Sequence, residues 1–185
     1  MNTIPLYSLV VFPTPGQSDL IKSYKQKLQN LIDCFGSANA AAHITVKNFD
    51  DEASLILHHS QIIEFCKTAI PYTIAFNSFD SFGDRTFFIA PDNNSKKYLD
   101  KLIFDFNQHL GFKLSKVNAH MSIARGLDEE KMKVACELFK NTTVDFEFVC
   151  DAFYLRKFNN QTKQYSDIIE KFIFEGKPQP DLFSL

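Results

Sequence analysis

Two tetrapeptides, His43-Ile44-Thr45-Val46 and His120-Met121-Ser122-Ile123, carry the residues best suited to chemistry. Each reads histidine, apolar, hydroxyl, apolar. Side chains alternate across an extended strand, so His43 and Thr45 share one face while Ile44 and Val46 share the other. The same alternation sets His120 and Ser122 against Met121 and Ile123. Two such strands facing one cleft would supply two imidazoles and two hydroxyls. That set suits phosphoester chemistry, with one imidazole as base, the other as acid, and hydroxyls on phosphate oxygens. Imidazole serves both tasks because its ordinary pKa is about 6.5.

The elements that must position these residues follow from periodicity. Leu6 to Phe12 reads as a strand closed by Pro13, Pro15 and Gly16. Ser18 is the expected cap of a helix whose stripe is Leu20, Ile21, Tyr24, Leu28, Leu31, Ile32 and Phe35, with Gly36 as its stop. A small-residue connection over 37–42 leads into the strand from His43 to Asn48. Asp50 or Asp51 caps a helix carrying Leu55, Ile56, His59, Ile62, Ile63 and Cys66. Thr73 to Phe79 and Arg85 to Ala90 form strands about a turn at Gly83-Asp84. A helix from about Ser95 ends at Gly111, and the second motif strand spans Ala119 to Ala124. Asp128 caps a last helix. Phe146 to Phe158 reads as one long strand, paired with Tyr165 to Phe174.

These elements repeat. The offset that takes His43 to His120 also carries strand 6–12 towards 85–90 and helix 18–35 onto 95–112. It carries the helix near 51–66 onto 128–143 and strand 73–79 onto 150–156. Each half reads strand, helix, motif strand, helix, strand, over about 5–80 and 84–175. The expected class is α+β: duplicated β-α-β-α-β halves, two mainly antiparallel sheets around a central cleft, and helices outside.

Composition bounds the rest. The 185 residues include 45% hydrophobic side chains and 20 phenylalanines, which is enough for a buried core in one domain spanning 1–185. A formal net charge of -2 argues against broad capture of duplex nucleic acid, though a local basic patch can still take a phosphate or an RNA end. Cys34, Cys66, Cys136 and Cys150 form no CxxC pair. They read as reduced thiols of a cytoplasmic protein, the first three on apolar helix faces. No HExxH or Cys/His cluster supplies a zinc site. The N-terminal apolar run has no basic flank and is broken by prolines, so it reads as a strand and not a signal peptide. No stretch is long enough to span a membrane.

The paired motifs and their duplicated frame resemble the 2H phosphoesterase superfamily, also called the LigT-like or 2'-5' RNA ligase family. The segments Ile74–Gly83, Tyr154-Leu155-Arg156, Tyr165 and Phe172-Ile173-Phe174 look similar as well, so the resemblance spans nearly the whole chain. It implies a bilobal fold with a central cleft. It also implies metal-independent, cofactor-free chemistry on the 2',3'-cyclic or 2'-5' phosphoester of a nucleotide or RNA end, by a monomer. His43 and His120 would be the acid–base pair, and Thr45 and Ser122 would bind phosphate oxygens. Arg125 matches an arginine that often follows the second motif and assists with phosphate.

Two basic residues test the strand geometry. Strict alternation sends Arg125 to the face opposite His120, so it reaches the cleft only if the strand ends or bulges near Ala124. Lys47 shares the face of His43 and Thr45, and it either meets phosphate or sits solvated at the rim. Tyr154 and Arg156 share another strand face, for which solvation is the favoured reading over contact with a base or phosphate. Phe49 or Phe82 would be available to stack on a base. Three functions use this quartet: hydrolysis of a 2',3'-cyclic phosphate, 2'-5' RNA ligation or its reversal, and nucleotide or RNA-end binding without turnover.

Overall fold

The computed structural model describes residues 4–177. Its elements are β1 (Tyr7–Val11), α1 (Pro15–Ile32), β2 (Ile44–Phe49), α2 (Glu52–Thr68), β3 (Tyr72–Phe82), β4 (Thr86–Pro91), α3 (Asn93–His109), β5 (Met121–Arg125), α4 (Glu129–Phe139), β6 (Phe146–Cys150), β7 (Ala152–Asn159) and β8 (Gln164–Ile173). The fold is α+β, with two antiparallel four-stranded sheets ordered β2-β1-β7-β8 and β5-β4-β3-β6.

The helices start where side-chain acceptors meet unpaired backbone donors. Asp51 accepts from the Ser54 amide at 2.7 Å, and its equivalent in the second half, Asp128, accepts from the Lys131 amide at 2.9 Å. Asp92 does the same for Ser95 at 2.7 Å. The first helix begins ahead of the expected Ser18, at Pro15 behind a Thr14 cap, where proline's missing N–H costs nothing.

The halves interlock. β3 leaves the first half and pairs with β4 and β6, while β7 leaves the second half and pairs with β1 and β8. The expected long strand 146–158 is therefore two strands. Asp151 is the residue at which the chain passes from one sheet to the other.

One apolar cluster joins the sheets and helices. Leu9, Ile44, Val46 and Phe153 from the first sheet meet Ile89, Met121 and Ile123 from the second, with Leu28 and Phe106 from the helices. Ile44, Val46, Met121 and Ile123 are the apolar members of the motifs, so the same residues that build the core aim the histidines and hydroxyls away from it. Cys66 and Cys150 are buried, whereas Cys34 and Cys136 are exposed rather than held on apolar helix faces. Among the described residues no helix is long and apolar enough to cross a membrane.

Candidate active site

Each motif histidine stands one residue before its strand and is oriented by a backbone carbonyl two residues back. His43 Nδ1 lies 2.7 Å from Ala41 O, and His120 Nδ1 lies 2.8 Å from Asn118 O. A carbonyl only accepts, so Nδ1 carries the proton in both rings. Nε2 is left in each as the nitrogen free to take or give one. Ala41 and Asn118 are themselves equivalent positions of the two halves.

The motif strands also share a bulge. Along β1–β2, Leu9 pairs with Lys47 and Val10 with Thr45, leaving Val46 extra; along β4–β5, Phe87 pairs with Ala124 and Phe88 with Ser122, leaving Ile123 extra. Each bulge reverses the alternation beyond it. Arg125 therefore returns to the cleft side and lines its cavity, as does its counterpart Asn48. Lys47 turns the other way. Its ammonium lies 3.4 Å from the centroid of the Phe112 ring, and it does not line the cavity. The parity that favoured Lys47 fails for the reason that admits Arg125.

The segment after α1 joins the lobes. Arg125 N donates to Gly36 O at 2.9 Å, and Ser37 Oγ donates to Ile123 O at 3.0 Å. Lys25, buried on α1, holds this segment by donating to Ser37 O at 2.9 Å and Ala40 O at 2.8 Å. Burial and then Arg125 pull the Lys25 ammonium down to about 8.

The resulting cavity, of about 670 Å³, is lined by His43, Thr45, Asn48, Ser8, Arg125 and Arg156, with Tyr165 and Lys163 from the β7–β8 side. His120 and Ser122 lie outside this lining. The His120 ring packs against a contacting pair of rings, Phe82, edge-on at 4.9 Å, and Phe88, tilted at 5.0 Å, which are themselves 4.3 Å apart. Arg125 is the link between the motifs, since its charge bears on both imidazoles. Burial, then Arg156, Lys25 and Arg125 bring His43 down to about 3, against the hydrogen bond to Ala41. Burial and Arg125 lower His120 as well, against its bond to Asn118.

Sequence reasoning missed three residues here. Lys25 and Ser8 carry no motif. Asn48 was reachable, because the repeat sets it opposite Arg125. Against the expectation of a solvated side chain, Arg156 is only 2% exposed. The remaining histidines hold packing roles: His59 pairs with Glu170 at 2.8 Å, His58 lies against Phe112, and His109 ends α3. Among the described residues no cluster of three His, Cys, Asp or Glu side chains could hold a metal ion.

The sheet order and the paired histidine strands define a duplicated α+β architecture with one His-x-hydroxyl-x motif at an equivalent strand of each half. The profile of the 2'-5' RNA ligase superfamily matches residues 13–162, and the chain belongs to that family. Solved structures share the fold. TT0787 of Thermus thermophilus superposes with a TM-score of 0.60 at 11% identity, covering 94% of this chain and 100% of its own. LigT of E. coli, complexed with NADP+, gives 0.59 at 9% identity, covering 92% and 98%. A structure described as a phosphoesterase gives 0.55 at 10%, covering 92% and 99%. No curated protein sequence is similar enough to count as a match.

Proposed function

We propose that the protein is a cyclic phosphodiesterase that opens the 2',3'-cyclic phosphate of a nucleotide or RNA end by two-histidine acid–base catalysis, without a metal. The observation that carries this reading is the matched pair of Nδ1-to-carbonyl hydrogen bonds, which leaves Nε2 of His43 and of His120 available about one shared arginine. One Nε2 takes a proton from water as the water oxygen bonds to phosphorus. The P–O bond to one ribose oxygen breaks, and the other imidazolium gives that oxygen its proton. Three cations bear on His43 and one on His120. That difference favours neutral His43 as base and His120 as acid. Thr45, Ser122 and Arg125 hold the phosphate oxygens as charge builds on them.

Family membership supports phosphoester chemistry, and structures of LigT with NADP+ and with 3'-AMP support a nucleotide ligand. The family name also favours a second reading, cleavage or formation of a 2'-5' phosphodiester by the same residues. Purified protein with EDTA should convert a 2',3'-cyclic nucleotide to a nucleoside monophosphate. His43→Ala and His120→Ala should each lose on the order of 10²–10⁴ in rate. Activity surviving both substitutions would overturn the mechanism. Ligand bound over long incubation with no product would point to a binding module instead.

A further inference from the structure

Arg156 is the most unusual charge in the molecule. It is 2% exposed, and among the described residues its hydrogen-bond partner is Ser8 Oγ at 3.4 Å, while Nε has none. Its guanidinium is flanked by the rings of Phe12 and Tyr165, each 5.4 Å away. Burial brings it down to about 10. An arginine has five donors, and burying its charge without an anion is costly. No carboxylate lies among the described residues lining the cavity, whereas Arg125, Arg156 and Lys163 all do. A 2',3'-cyclic phosphate carries a single negative charge, which leaves cationic capacity over.

Register places the surplus. On the first sheet Tyr154, Val10 and Thr45 form one cross-strand row, and Arg156, Ser8 and Asn48 form the next row on that face. The rows are two residues apart along β1, about 6.6 Å. The contact with Ser8 keeps the guanidinium over its own row, not over that of Thr45. On the second sheet the corresponding row is Phe82, Thr86 and Arg125. Arg156 thus occupies the place that Phe82 holds beside His120. The two ends of the cleft differ, one ending in an unpaired cation and the other in an aromatic ring.

We propose that Arg156 forms a second anion subsite, for a phosphate on the 5'-oxygen of the nucleotide whose cyclic phosphate is opened. This rests on the phosphodiesterase reading above. The cyclic group occupies the 2'- and 3'-oxygens, so the 5'-oxygen is the ribose position left to carry another phosphate. A ribose ring's width separates the two groups, which matches one row step. The phosphate belongs either to the preceding residue's linkage at an RNA end or to a 5'-phosphorylated mononucleotide. Lys163, on the turn between β7 and β8, lies on the same side of the cavity.

Three substrates test this: cytidine 2',3'-cyclic phosphate, the same compound with a 5'-phosphate, and a dinucleotide ending in that cyclic phosphate. Wild-type kcat/KM should favour at least one 5'-substituted substrate by on the order of tenfold to a hundredfold. Arg156→Met should collapse that ratio, and Arg156→Lys, which keeps the charge, should retain part of it. A preference for the dinucleotide assigns an RNA end, and one for the 5'-phosphorylated mononucleotide assigns the smaller ligand. No preference in wild type, or an equal loss on all three substrates in Arg156→Met, overturns the subsite. If none of the three is hydrolysed, the phosphodiesterase reading fails separately. Calorimetric binding of cytidine 5'-monophosphate against cytidine, in wild type and Arg156→Lys, then decides the subsite alone: tighter phosphate binding weakened by the substitution supports it, and equal binding overturns it.

Discussion

Gly36 and Arg125 form a backbone bridge between two segments far apart in sequence, with the Arg125 amide 2.9 Å from Gly36 O. A Cβ at position 36 would stand 2.8 Å from Arg125 O, closer than such contacts allow. The glycine is thus required by close approach to the strand that carries the second motif, not as the stop of α1, which ends earlier at Ile32. Gly36→Ala should destabilise the protein by about 1–3 kcal/mol and displace Arg125. Urea unfolding together with kcat/KM on a cyclic nucleotide measures both, and unchanged values in the two assays would rule this role out.

Lys25 is the next support of the same segment. Its ammonium satisfies two carbonyls, and the chain then runs directly to Ala41, whose carbonyl orients His43. Lys25→Met keeps the length and apolar stem but leaves Ser37 O and Ala40 O without their charged donor. Charge-assisted bonds are worth about 1.5–3 kcal/mol each, offset in part by the lost cost of burying the charge. The thermal midpoint should fall by roughly 2–4 °C per kcal/mol of net loss. The rate should fall further than Lys25's position outside the cavity lining would imply, because His43 loses its alignment. A variant as active and as stable as wild type would remove Lys25 from the site's support.

Much of the fold is legible in the sequence, and the gaps have physical causes. The offset between the motifs locates their strands and flanking helices because each half must bury the same apolar stripes. It does not reveal that β3 and β7 exchange sheets, since a strand's alternation says which face is buried but not which neighbour it joins. The break at Asp151 is hidden for that reason, with apolar runs on both sides of it. Strict parity misplaces Lys47 and Arg125, because a single extra residue at Val46 and at Ile123 reverses it. The burial of Arg156 is invisible in sequence because one of the rings that flank it, Phe12, is distant along the chain, and the other, Tyr165, reaches it only through the packing of the β7–β8 hairpin. It belongs to tertiary packing.

Phe82 meets the His120 ring edge-on, yet it is 38% exposed and contributes little to the core. Phe82→Ala should change the unfolding free energy by no more than about 0.5 kcal/mol, as is usual for surface substitutions. The rate of cyclic-phosphate opening should fall by about tenfold, as His120 loses a wall that fixes its orientation. Equal rates for variant and wild type would assign the contact to packing alone. A large stability loss would do the same.

The protonation state of His43 ties stability to pH. In the unfolded chain its imidazole takes a proton at about 6.5; in the folded chain, half-buried and near Arg156, Lys25 and Arg125, it does so only at about 3. Between those values the unfolded state binds more protons, so stability rises with pH through that window and is lost on acidification. Above it this group adds no slope. The largest contribution from one such group is about 1.4 kcal/mol per pH unit. His120, lowered in the same direction, adds to the trend. Urea unfolding between about pH 7.5 and 4.5 should therefore give a steeper acid-side loss for wild type than for His43→Asn, with the two curves converging in slope above about pH 7. Parallel curves across the range would mean that His43 titrates normally in the folded protein. They would also remove the electrostatic argument for placing it as the base.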